Sequence, residues 1–247
     1  MFSIDESKLF FGAAINYNDI CWVYPLTIGD IVGMGEDIYN ELLSCICADI
    51  REIQKAMKKE GVPDDKIPGT TFEFLMTNSE HDRIFFVKLQ EAFFTFIREK
   101  VYFLYEEQKI IIGDDFSGQK ALTKENFEDF QNIIRAQNKL RVPEPIPENE
   151  SLMARKFRLR REQLAEVKQK QAQKNGEIVS LSDSISSLIC FGIGMTIDSV
   201  KTLTIYQFRE ILSRAQAKYK YDLDIRMIAA GADPKKIKPK HWFGKIE

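Results

Sequence analysis

Between residues 142 and 150 the chain reads Val-Pro-Glu-Pro-Ile-Pro-Glu-Asn-Glu, with prolines at 143, 145 and 147. Each proline fixes φ, removes an amide donor, and pushes the residue before it out of the helical region. Neither a helix nor a sheet ladder can run through such a stretch, so an extended spacer is expected. The chain is therefore expected to divide into an N-terminal α+β domain over 1–141, a Pro-rich linker over 142–150, and a C-terminal helical domain over 151–247 that ends in a basic tail.

On either side the hydrophobic periodicity is mainly helical. Ile38, Leu42, Ile46, Ile50, Ile53 and Met57 recur every three or four residues, which predicts one helix from Glu36 to Glu60 closed by Gly61 and Pro63. Ser79, with Asp82 three residues on, predicts the cap of a second helix reaching about Tyr105. The apolar residues of that helix surround nearly its whole circumference, so a central, buried position is expected. Lys109–Ile112 reads as a short strand, and Thr123 as the opening of another amphipathic helix. At the N-terminus, Leu9–Ile15 and Ile20–Tyr24 flank a turn at Asn16-Tyr17-Asn18-Asp19 and predict a hairpin. Thr27 then caps a short helix at Ile28–Val32. Beyond the spacer come a polar helix from Leu152 to about Lys174, a short helix capped by Ser180 or Ser182, a turn of helix near Ile197–Lys201, and a long helix opened by Thr204 with Gln207 in the capping-box position. The fold class is mainly α with a small N-terminal β hairpin or sheet. No internal repeat between the halves is evident.

Composition narrows the function classes. A formal net charge of -2 gives no global case for nucleic-acid or membrane binding. The longest apolar run, near Leu188–Ile197, is too short to span a bilayer and is broken by Gly192 and Gly194. Met1–Gly12 lacks the apolar core of a signal peptide, so a cytoplasmic location is expected. Cys21, Cys45, Cys47 and Cys190 match neither zinc nor redox spacing and read as small hydrophobes in a reducing compartment.

Candidate chemistry is sparse. His81 and His241 have no partner at metal-ligand spacing. Glu107-Gln108-Lys109 resembles a Glu-x-Lys nuclease element but lacks an upstream Asp on a strand, and reads as a solvated strand end. Asp114-Asp115 reads as turn chemistry. Gly33-Met34-Gly35 and Gly192-Ile193-Gly194 each lack the third glycine of a dinucleotide site. No catalytic residue, cofactor or metal is expected, and the protein is read as non-enzymatic.

The polar helix is the informative element. It holds eight Lys or Arg against two Glu. Arg155, Arg158, Arg161 and Lys168 fall near one face, where they could grip phosphates. Phe157, Leu164 and Val167, with Met153 and Leu159 nearby, form a thin apolar stripe suited to a partner. The expected partner-binding residues are Arg158, Arg161, Leu164 and Val167 on this helix and Phe208, Ile211 and Tyr219 on the last one. For the second set a core role competes, since such stripes usually face a protein's own interior.

Two segments carry a family resemblance. Tyr24-Pro-Leu-Thr-Ile-Gly-Asp-Ile31 with Gly35-Glu-Asp-Ile-Tyr39 is similar to the opening of proteins from tail-gene clusters of bacteriophages and prophages. Leu203-Thr-Ile-Tyr-Gln-Phe208, Arg214, Tyr221-Asp-Leu-Asp224, Ala229-Ala-Gly-Ala232 and His241-Trp242 resemble the closing region of the same group. The resemblance implies a tail assembly chaperone or accessory tail-morphogenesis protein, and supplies no catalytic residues. Its expected partner is a phage tail protein, tape measure or tail tube, with self-association as a further option and no membrane partner. Its expected location is the host bacterial cytoplasm, or alternatively the virion. A structural tail component, or a small nucleic-acid-binding protein using helix 152–174, are the competing readings.

Overall fold

The computed structural model describes residues 3–114, 120–141, 150–174 and 179–244. It is mainly helical, with two small antiparallel sheets. The spacer expected at 142–150 lies, apart from Glu150, outside the described residues.

The first elements are α1 (Glu6–Phe10), the hairpin β1 (Ile15–Tyr17) and β2 (Cys21–Val23), and α2 (Ile28–Met34). The hairpin is shorter than expected, because Asp5 accepts from the Ser7 amide and turns the preceding run into a helix. Asn18 and Asp19 both sit at positive φ, the geometry that matches strand twist in tight hairpins. Asn16 Oδ1 accepts from the Asp19 amide to brace that turn.

The helix expected over 36–60 is two helices, α3 (Glu36–Cys47) and α4 (Ile50–Lys59). Their apolar rhythm is continuous, but Asp49 takes an extended conformation and caps α4 by accepting from the Arg51 amide. The bend leaves the carbonyls at the end of α3 without helical partners. The helix expected from Ser79 to about Tyr105 is misplaced at both ends: Ser79 lies inside α5 (Thr71–His81), a separate helix α6 (Arg83–Ile97) follows, and residues 101–104 are a strand. Thr70 and Glu73 form a capping box for α5, and Asp82 caps α6 by accepting from the amides of Ile84 and Phe85. Arg98, in the left-handed region, stops α6 before the sheet of β3 (Val101–Leu104), β4 (Lys109–Ile112) and β5 (Ala121–Leu122).

The helix after this sheet, α7 (Phe127–Gln137), is the hub of the core. Phe127, Phe130, Ile133 and Ile134 are fully buried. Phe130 stacks on Phe93 of α6 at 5.8 Å, and Phe127 packs on Phe72 of α5 at 5.5 Å. The same helix carries the buried polar groups Gln131, Arg135 and Gln137, followed by Asn138. The Gln131 amide donates to the Ile46 carbonyl. Arg135 Nη2 donates to the carbonyls of Cys47 and Ala48, at 3.1 Å each. A buried guanidinium thus replaces the donors that the end of α3 lost at the bend, and its positive charge suits a helix C-terminus. Gln137 Nε2 donates to the Val23 carbonyl on β2 at 3.0 Å, and Asn138 Oδ1 accepts from the Tyr39 hydroxyl at 2.8 Å.

The C-terminal elements are α8 (Leu152–Lys174), α9 (Leu181–Cys190), α10 (Ile197–Thr202), α11 (Ile205–Ala229) and α12 (Pro234–Ile237). By its contacts the chain forms two compact units. The first contains residues 1–142 and also 198–247; the second contains 143–197. Proline spacing marks where a helix must stop but carries no information on which later helix returns to the first core.

That return is made by α11. Leu26-Thr27-Ile28 and Leu203-Thr204-Ile205 repeat three identical residues, and each Thr opens a capping box, with Asp30 and Gln207 as the respective reciprocating side chains. The two segments pair antiparallel. The Ile28 amide donates to the Leu203 carbonyl at 2.8 Å, and the Ile205 amide to the Leu26 carbonyl at 2.9 Å. Three residues are too short a repeat to stand out in the sequence; the pairing gives it meaning. Gly12 lies beneath it at φ +68, and a Cβ there would meet the Thr204 methyl at 2.9 Å. Arg209 Nη1 donates to the Asn138 carbonyl at 2.6 Å, Lys139 Nζ to Glu210 at 2.5 Å, and Arg214 Nε to the other oxygen of Glu210 at 2.8 Å.

Two outcomes follow. Arg135→Met keeps most of the side-chain volume but strips the donors from the end of α3. It should lower unfolding free energy by roughly 3 kcal/mol, since orphaned buried carbonyls keep their full desolvation cost; a loss under about 1 kcal/mol in urea titration would show that α3 does not depend on this cap. The Glu210 carboxyl feels burial, which raises its pKa, but the Lys139 hydrogen bond and the charges of Lys139 and Arg214 outweigh it and hold the pKa below the ordinary 4.5. A carboxyl depressed on folding stabilises above its unfolded pKa, and that contribution vanishes as pH falls through the lowered value. Urea midpoints measured from about pH 7 to about pH 3 should therefore fall more steeply for the native chain than for Glu210→Gln.

Candidate partner-binding surfaces

In the second unit, α8 begins with a local cap. The Ser151 hydroxyl accepts from the Ala154 amide at 3.1 Å. Glu150, beside the positive end of the helix, receives Nε and Nη2 of Arg158 at 2.9 Å each. The Arg158 hydrogen bond is the main cause holding the Glu150 carboxyl below its ordinary range. Arg158, expected to meet a partner, is thus engaged within its own helix start. Arg161 is exposed.

The apolar residues of α8 are strongly exposed: Met153 65%, Phe157 66%, Leu164 54% and Val167 50%. With Arg160 they fall at spacings of four, three, four and three residues, the alternation that keeps one seam facing a neighbouring helix. The exposed Leu152 and Leu159 lie on an adjoining face. Leu164 and Val167, two of the expected contact residues, therefore sit on a continuous unburied stripe. The capping box of Ser180 and Asp183 starts α9, whose Leu188 is buried.

In the first unit, the stripe of α11 has two fates. Ile205, Phe208 and Ala215 are buried, and Ile211 and Leu212 are half-buried. Tyr219, Leu223 and Met227 continue the same helical face but are exposed. Phe208 is accordingly core, Ile211 is at the margin, and Tyr219 is on the surface. Ring contacts tie the tail to the distal part of α11, with His241 5.1 Å from Tyr221.

Another exposed stripe is Ile84, Val87 and Phe94 on α6. This corrects the expectation that the helix is buried all round: Leu89, Ala92, Phe93, Phe96 and Ile97 are inside, and α7 occupies the centre instead. Sequence periodicity could not separate the two faces because both are apolar.

The groups weighed for chemistry lie apart. Glu107 and Lys109 form an exposed ion pair at 3.1 Å across the β3–β4 turn, where Gln108 is at positive φ. Tyr102 donates to Asp114 at 2.8 Å. Among the described residues no group of three His, Cys, Asp or Glu could hold a metal ion. Burial pushes the thiols of Cys21 and Cys47 up to about 12, and that of Cys45 upward; in that state they are poor nucleophiles. No helix among the described residues is long and apolar enough to cross a membrane.

Residues 168–247 match the family described as the YomV second domain. YomV is a phage-associated protein, from a Bacillus prophage of the SPbeta type. The matched segment covers the last third of the chain and runs from the end of α8 through α12, so it includes the Leu-Thr-Ile start of α11 that pairs with the N-terminal segment. No curated protein and no solved structure matches the chain.

The two fates of the α11 stripe are separable by mutation. Phe208→Ala should cost about 3–4 kcal/mol through lost burial and a cavity. Tyr219→Ser combined with Leu223→Ser should change stability by under about 0.5 kcal/mol, as surface substitutions do. Equal costs in calorimetric melts would mean that the distal face is covered.

Proposed function

We propose that this is a non-enzymatic phage tail-morphogenesis protein, a tail assembly chaperone that binds the tape measure protein in the host cytoplasm. The observation that carries the reading is the unburied apolar seam of α8. A 23-residue helix that leaves Met153, Phe157, Leu164 and Val167 in water has poor reason to persist unless another helix covers them. Phage association rests on the match to a domain of YomV. The tail role rests on the resemblance of the Tyr24–Ile31 and Leu203–Phe208 segments to tail-cluster proteins.

Retention of nucleic acid by the basic residues is the weaker reading, because Arg158 is already neutralised by Glu150. Co-expression with the tape measure protein should raise that client's soluble fraction several-fold. Leu164→Asp with Val167→Asp should abolish the effect while the circular dichroism melt stays within a few degrees, since both side chains are already half in solvent. Many copies of the protein in purified virions would overturn the chaperone assignment in favour of a structural tail component.

A further inference from the structure

The residues around the α8 seam also say what kind of helix can cover it. On the helical wheel, Lys156 and Arg161 flank the line of Met153, Phe157, Leu164 and Val167 on opposite sides, and Arg160 stands within the line itself; all three are exposed. These are the positions that meet the flanking residues of a neighbouring helix in a heptad-packed pair. A second copy of α8 is therefore a poor occupant. Packed parallel and in register, it would place its own Arg160 against Arg160 and its Arg161 against Lys156. Packed antiparallel, it would again bring basic flank to basic flank, and like charges across such a seam are destabilising. The long aliphatic stems of Lys156, Arg160 and Arg161 can extend the apolar contact while their charged heads reach outward.

We propose that α8 docks an acidic amphipathic helix: a partner segment with apolar residues at heptad spacing, flanked by Asp or Glu. The five seam positions from Met153 to Val167 span about 21 Å at the rise of an α-helix, so the partner segment is about four turns long. Specificity comes from the flanks, since an apolar seam alone accepts any amphipathic helix, and the basic rim rejects basic ones. This rests on the reading of α8 as the client-binding surface and specifies the client's chemistry.

The test uses the full chain and two labelled peptides of 21 residues. Both carry Leu and Ile at the seam positions; one has Glu at every flanking position and the other Lys. By fluorescence anisotropy at about 50 mM salt, the acidic peptide should bind at least tenfold more tightly, and raising salt to about 500 mM should shrink that ratio to a few-fold. Lys156→Glu with Arg161→Glu should reverse the ranking, and unchanged circular dichroism would show that the variant is folded. Equal binding of both peptides, binding of neither, or an acidic preference that survives the charge reversal would overturn the proposal. If it is overturned while Leu164→Asp with Val167→Asp still abolishes client solubilisation, the seam holds its client by apolar contact alone and the chaperone reading stands. If the acidic peptide binds as expected but the tape measure gains no solubility, the docking chemistry stands and the chaperone reading falls.

Discussion

The first unit is organised around one charge in an unusual place. Arg135 is 5% exposed and lies in the middle of the helical core, where an unpaired guanidinium would be strongly unfavourable. It is tolerated because the bend between α3 and α4 creates carbonyls that need donors, and because Asn132 Oδ1 accepts from its Nη1 at 3.1 Å. Each feature requires the other. Without the bend the guanidinium has too few acceptors; without the guanidinium the bend leaves the end of α3 unsatisfied. Asp49 joins both sides of this arrangement. It caps α4, it holds the Arg51 fork, and although burial alone would raise its pKa, the Arg51 hydrogen bonds and the charges of Arg51 and Arg135 bring it below the ordinary value.

How much of this was legible in the sequence follows from what periodicity encodes. The helical class, Thr27 as a cap, Ser180 as one of two candidate caps, the Thr204–Gln207 capping box and the strand at Lys109–Ile112 came from local patterns that the structure reproduces. The breaks at Asp49 and Asp82 did not, because an apolar rhythm runs straight through them and an Asp inside a helix looks the same as an Asp that caps one. Nothing in the local sequence sets Arg135 apart from a solvated residue of an amphipathic helix; only the distant carbonyls of Cys47 and Ala48 reveal its use. The grouping of residues 198–247 with residues 1–142 depends on contacts far apart in sequence, which no local pattern encodes.

The candidate surface divides along the same line. Leu164 and Val167 were readable as a stripe on an otherwise polar helix, and they are exposed. Phe208 and Tyr219 looked equivalent from sequence, lying on one face of one helix, yet the first is enclosed and the second is in solvent. The difference is set by how far along α11 the rest of the first unit packs, which no property of the helix itself encodes. The basic residues of α8 are likewise unequal: Arg158 is drawn into the helix start by Glu150, while Lys156 stands exposed at the rim of the seam and Arg160 exposed within it.

The pairing of Leu26-Thr27-Ile28 with Leu203-Thr204-Ile205 has a consequence for the timing of folding on the ribosome. Synthesis delivers the first strand of this clasp early and the second only after most of the chain has been made. Throughout that interval the amide of Ile28 and the carbonyl of Leu26 lack the ladder partners they have in the folded chain, and once residue 138 is made its carbonyl likewise lacks Arg209. Closure across so many residues is an entropically late event. The first unit can assemble around α7 only after residue 137 is made, and a ribosome that stops short of residue 204 releases a chain that lacks the second half of the clasp.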